Sequence, residues 1–146
     1  MNSTTSNLPV PVFVPETKVY LEVCGWKVPA GFPSPAADHT QKRIDLNDHL
    51  IRNQDATFLF EVKGDSMSGI GIQDGDSLVI DRSIEAKHGH IVVAVLNGEF
   101  TVKRLHRRGG VVKLMAENPL YPPRVLNSEE ELTIWGVVTY SLHKYC

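Results

Sequence analysis

The sequence predicts a mainly β fold, a small β-rich domain preceded by an extended N-terminal arm. Six of the nine prolines fall within the first 35 residues. From Thr57 onward, short runs rich in Val, Ile and aromatic residues alternate with Gly, Asn and Asp, the pattern of strands and turns. Asn97-Gly98 lies between two such runs; both residues tolerate positive φ, which a two-residue hairpin turn demands. A chain of 146 residues can enclose one core and is too short for two of ordinary size.

The arm is assigned to residues 1–43. Pro9, Pro11, Pro15, Pro29, Pro33 and Pro35 punctuate it. Proline removes a backbone donor and disfavours helix in the residue before it. The arm also carries Val10, Val12, Phe13, Val14, Val19, Tyr20, Leu21, Val23 and Trp26. A solvated tail has no need of these, so docking onto the domain or a partner subunit is expected. Residues 44–146 form the domain. Asp45 to Arg52 reads as a short helix, with Asp45 capping its free amides and Leu46 and Leu50 on one face. Strands are expected at Thr57–Val62, Ser77–Asp81, His90–Leu96, Glu99–Leu105, Val111–Ala116 and Leu132–Ser141. Asp74-Gly75-Asp76 and Arg108-Gly109-Gly110 mark turns.

Composition narrows the function classes. A formal net charge of −2 and a pI near 6.3 give no global attraction to nucleic acid. No apolar run approaches a bilayer span, and the first residues lack a secretory pattern. The two cysteines, Cys24 and Cys146, suggest no disulfide framework and fit a reducing cytoplasm.

Two residues draw attention as chemistry. Ser66 lies in Gly64-Asp65-Ser66-Met67, and Lys103 in Thr101-Val102-Lys103-Arg104. A serine hydroxyl needs a base to become a nucleophile, and lysine is a base only when burial keeps it neutral. If Asn97-Gly98 closes a hairpin, Leu96 pairs with Glu99 and Lys103 falls opposite Val92. It then shares a face with Thr101 and Leu105, with no carboxylate close by. The bland alternatives are a solvated strand lysine and a turn serine bonded to its own backbone.

Other groupings point less far. No cofactor is implied. His88 and His90 are spaced for one side of a strand, but no third ligand follows, so no metal site is assigned. A triad of Ser66 with His90 or His106 has no spacing to support it. The run Lys103 to Arg108 reads as a solvated hairpin end, with a DNA or protein contact as the alternative.

At Ser66, at Lys103 and along Gly31-Phe32-Pro33-Ser34-Pro35-Ala36-Ala37-Asp38, with Arg43-Ile44-Asp45-Leu46-Asn47 beyond, the sequence resembles the LexA/UmuD family of self-cleaving SOS-response proteins. The UmuD-type branch is the nearer. The resemblance implies a Ser66–Lys103 catalytic dyad and self-cleavage just before Gly31, at Ala30-Gly31. Cys24-Gly25 is the competing small-residue–glycine pair. It further implies a homodimer, stimulation by a RecA filament on single-stranded DNA, and partnership with a Y-family translesion polymerase subunit (UmuC-like). A repressor of this family carries a helix-turn-helix domain before the cut; the 30 proline-punctuated residues here offer no room for one, so sequence-specific DNA binding is not expected. Signal-peptidase relatives need a membrane anchor, for which no segment is seen. Two other readings stand beside this one: a non-cleaving, polymerase-binding module, and a trans-acting protease.

Overall fold

The computed structural model describes residues 11–12, 17–25, 27–33 and 40–146. Val10, Phe13, Val14, Trp26 and the segment 34–39 lie outside the described residues. The chain divides into two compact units, residues 13–52 and residues 1–12 with 53–146. Among the described residues no helix is long and apolar enough to cross a membrane.

The smaller unit is built on two strands that the proline-rich sequence did not announce. Strand β1 (Tyr20–Cys24) pairs antiparallel with β2 (Thr40–Asp45), running from Tyr20 opposite Asp45 to Cys24 opposite Thr40. Asp45 then caps helix α1 (Leu46–Leu50), as its sequence position predicts. One carboxylate oxygen accepts the amides of Asn47 at 2.8 Å and Asp48 at 3.2 Å, while the other accepts the Val19 amide at 2.7 Å. One side chain thus starts the helix and fastens the adjoining strand. The Val19 amide is the main reason the Asp45 carboxyl titrates below its ordinary range.

The larger unit is a seven-stranded antiparallel sheet. It comprises β3 (Thr57–Glu61), β4 (Ser77–Asp81), β5 (Ile91–Leu96), β6 (Glu99–Arg108), β7 (Val111–Met115), β8 (Arg124–Val125) and β9 (Leu132–Leu142), in the order β3-β4-β9-β5-β6-β7-β8. The mainly β reading therefore holds. Six of the strands fall where the apolar runs predict them. The two-residue β8 carries too little pattern to be seen. Asn97 (φ 49°) and Gly98 (φ 82°) make the expected hairpin turn, and Gly109 with Gly110 make another between β6 and β7. Strand β6 runs on through Arg108, so the basic run belongs to a paired strand and not to its loose end. His90 closes a turn onto Lys87 before β5 begins, so His88 and His90 lie in a connection, not along a strand.

Strand β5 is buried on both faces. Val93 packs with Met67, Ile72, Leu78 and Ile80; Val92 and Ala94 pack with Leu105, Leu114 and Val137 on the other side. Burying a side chain of Leu or Ile size, as at Leu78 and Ile80, contributes about 1.5–3 kcal/mol. Strand β9 bends between these layers through two register shifts, opposite Val93/Ala94 and Val79/Ile80. At the first, the Trp135 carbonyl accepts the Arg82 Nε–H at 2.8 Å, and the guanidinium lies 4.3 Å from the indole centroid. The N-terminal segment adds to the edge of this sheet: Pro11 bridges to Phe58, and the Val12 amide donates to Thr57 O at 2.9 Å.

Candidate active site

Beyond β3 the chain enters a tight turn that carries Ser66. Gly64 adopts φ 96°, which glycine alone takes without strain, and its amide donates to Asp74 Oδ1 at 2.7 Å. Met67, 2% exposed, plugs the turn into the core. A second loop, between β7 and β8, clamps the turn from the other side. The Glu117 amide donates to Ser66 O at 2.9 Å, Gly69 N–H to Glu117 O at 2.7 Å, and Asn118 Nδ2 to Asp65 O at 3.0 Å. The Tyr121 hydroxyl donates to Asp65 Oδ1 at 2.6 Å. That hydrogen bond to the Asp65 side chain raises the Tyr121 pKa.

Lys103 reaches this turn from β6. The hairpin register is the expected one, with Leu96 opposite Glu99 and Val92 opposite Lys103. Lys103 Nζ lies 3.0 Å from Ser66 Oγ, 3.0 Å from Thr101 Oγ1 and 3.0 Å from Val102 O. Burial pushes the ammonium pKa below its ordinary value, and no carboxylate opposes the shift. A neutral amine has two N–H bonds and one lone pair. Thr101 Oγ1 and Val102 O can take the two hydrogens, which leaves the lone pair for the serine O–H. Next to the lysine, Arg104 pairs with Glu117 and donates to Gly89 O at 2.6 Å. The ion pair thus ties the strand of the lysine to the loop whose backbone holds the serine turn.

A cleft of about 210 Å³ opens between β3 and β6, lined by the apolar Phe60, Val62, Phe100 and Val102 together with Ser66 and Lys103. A second, of about 420 Å³, shares Phe100, Thr101 and Lys103 and extends to Leu114 and Arg124. The two clefts meet at Lys103, and an extended chain laid along them would pass the lysine. Among the described residues, the amides of Asp65, Ser66 and Met67 donate to no partner, so the turn holds free N–H groups beside the hydroxyl.

Ser66 and Lys103, far apart in sequence, are thus brought together. Ser66 is not joined to His90, whose Nδ1 accepts the Lys87 amide, or to His106, whose ring packs against His88. Ala30 and Gly31 lie in an exposed bend of the smaller unit, outside both of its strands. Cys24 ends β1 and is paired with Thr40. The clamp of Asp74, Glu117, Asn118 and Tyr121 went unread in the sequence. Asn118-Pro119 and Pro122-Pro123 mark a loop there but not what it touches.

Gly69 tests the clamp. A Cβ at this position would stand 2.3 Å from the Glu117 carbonyl oxygen, a backbone atom with little freedom to move. Gly69→Ala is expected to cost about 1–3 kcal/mol and to slow any Ser66-dependent reaction at least about tenfold. Chemical denaturation and the reaction rate of the same preparation check both.

Sequence comparison now bears on the pair. A profile described as Peptidase S24-like matches residues 20–139, a span that includes the serine turn, the lysine strand and β1. The chain belongs to this family. It is 47% identical over 118 residues to protein SamA of Salmonella typhimurium, covering 81% of each chain. To protein MucA of Escherichia coli it is 44% identical over 123 residues, or 82% of this chain and 84% of MucA. The LexA repressor of Bordetella avium is 35% identical over 140 residues, 92% of this chain and 65% of the repressor. The resemblance to the LexA/UmuD family is borne out. For a Peptidase S24-like chain, peptide-bond cleavage is the chemistry to ask of a half-buried lysine beside a serine.

Proposed function

We propose that this Peptidase S24-like chain is a self-cleaving accessory protein of SOS mutagenesis, with Ser66 as nucleophile, Lys103 as base and Ala30-Gly31 as the bond cut. The observation that carries the reading is the 3.0 Å contact between Lys103 Nζ and Ser66 Oγ at a half-buried lysine with two further acceptors. Neutral Lys103 takes the Ser66 proton as Oγ bonds to the Ala30 carbonyl carbon. The C–N bond then breaks, and the lysine returns the proton to the Gly31 nitrogen, which leaves as an amine. Water, activated by the same lysine, releases Ala30 from Ser66. The free amides of the turn are suited to the negative charge that gathers on the Ala30 oxygen.

In this reading residues 1–43 are a regulatory arm and residues 44–146 the peptidase and dimerisation domain. Tethering the substrate supplies local concentration in place of a tight pocket. The reaction occurs once per chain, so it acts as a switch. A RecA filament on single-stranded DNA promotes it by favouring the cleavable conformation. The product, residues 31–146, remains a cytoplasmic homodimer that partners a Y-family, UmuC-like translesion polymerase. Incubation of the full chain at neutral pH with RecA, single-stranded DNA and a nucleotide is expected to speed appearance of the shorter species at least about tenfold. Equal rates with and without the filament would remove RecA from the scheme while leaving the dyad to be judged separately.

A further inference from the structure

The basic run on β6 is not consumed by the dyad. Its His106 and Arg108, on one face of the strand, join others into one surface that spans the connection before β5, then β6, then β7. The connection before β5 docks along β6: Gly89 N–H donates to Leu105 O at 2.8 Å, and Leu105 N–H to His90 O at 2.9 Å. This sets Lys87 and His88 beside His106 and Arg108, while Arg107 lies on the opposite face of the strand with Leu105 and donates to Ala86 O at 3.5 Å. The Arg107 amide donates to His88 Nδ1 at 3.1 Å, and the His88 and His106 rings stand 4.8 Å apart, edge to face. On the other side, Lys113 of β7 is the cross-strand partner of His106.

Lys87, His88 and Arg108 are exposed. Among the described residues, none of these three, nor His106 or Lys113, forms an ion pair. In a chain of net charge −2, such crowding of unpaired cations runs against the global balance. Its effect reaches His88, whose pKa is lowered by partial desolvation at its packed edge and then by the charges of Arg108 and His106. Like charges held together without a partner favour an anionic ligand.

We propose that this surface binds the phosphate backbone of single-stranded nucleic acid, without reading its sequence. Alternate residues of a strand stand about 6.8 Å apart, so His106 and Arg108 form a row suited to a repeating anion and not to one isolated charge. The paired imidazoles add flat faces on which bases can stack. Helices in the described residues are three to five residues long, so none can enter a duplex major groove as a recognition helix. The site is separate from the dyad and does not depend on cleavage.

The test uses full-length chain carrying Ser66→Ala, so that one intact species is present, and a fluorescent 20-nucleotide oligo-dT read by anisotropy. Binding is expected at 50 mM salt and to weaken roughly 50-fold by 200 mM, the slope for about four phosphate contacts. Lys87→Ala/Arg108→Ala/Lys113→Ala is expected to flatten that slope and cut affinity at least about tenfold, while Lys144→Ala, at an exposed position near the C-terminus, leaves both unchanged. Circular dichroism verifies the triple variant's fold, and Arg108→Gln alone, at an exposed position, should show a smaller loss in the same direction. Absence of binding at 50 mM salt, or equal binding by the triple variant, would overturn the proposal. So would equal affinity for a duplex of the same length, which removes the single-strand preference, or for poly-glutamate, which assigns the surface to acidic proteins.

Discussion

Purified full-length chain held at pH 10 is expected to convert to a shorter species, and Ser66→Ala or Lys103→Ala to slow that conversion at least about a thousandfold. The pH direction follows from the lysine. Burial lowers its pKa from the ordinary 10.5, so the neutral, proton-accepting fraction grows as pH rises through the lowered value. The rate should climb with pH and level off once Lys103 is neutral. Intact mass against time from pH 6 to pH 10.5 reads the profile. A rate that is flat with pH, or conversion that persists in either variant, would exclude this dyad.

The same burial has a consequence for stability that separates lost chemistry from lost folding. Lys103 titrates lower in the folded chain than in the unfolded one, so between the two values the unfolded chain binds more protons and stability rises with pH. Below the folded value, the full cost of burying the charge is present. Lys103→Met removes that charge and retains most of the apolar stem. At pH 7 it should melt no lower than the parent, although it does not cleave. A large fall in melting temperature would instead mean that the ammonium is a net structural contributor.

How much of this was legible in the sequence depends on where the information lies. Asn97-Gly98 fixes its hairpin locally, because the turn needs positive φ at both residues. The register of Lys103 against Val92, and its sharing of a face with Thr101, followed from counting outward along two strands. Asp45 likewise announced itself as a cap. The smaller sheet was hidden for the opposite reason. Thr40-Gln41-Lys42-Arg43-Ile44-Asp45 has almost no apolar alternation, and β1 sits among prolines, so only the pairing itself reveals either strand. The clamp on the serine turn is long-range, since Glu117 and Tyr121 lie about fifty residues from Ser66 and act largely through backbone atoms and one carboxylate. No local pattern encodes such a contact. The resemblance supplied the pairing of Ser66 with Lys103, for which residue types alone left several alternatives open.

The bond that is cut offers the second large effect. The product is expected to begin at Gly31, with Gly31→Val suppressing it at least about a hundredfold and Gly25→Val leaving it nearly unchanged. Both candidates put a small residue before glycine, which allows close approach of the backbone to a nucleophile. They differ in what the backbone is already doing. Cys24 is committed to the β1–β2 ladder opposite Thr40, so presenting Cys24-Gly25 requires that pairing to open first. Ala30 and Gly31 lie in an exposed bend outside either strand, and Gly31 has open space where a Cβ would stand. The valine at position 31 would bring a β-branched side chain to the leaving amine, where the cleft must close on the chain. Intact mass distinguishes the two starts by six residues. A product beginning at Gly25 would keep Ser66 and Lys103 in their roles and show that β1 unpairs before cleavage. In that case, variants that weaken the β1–β2 ladder should speed the reaction, whereas for a cut at Ala30-Gly31 they should leave the chemical step unaltered.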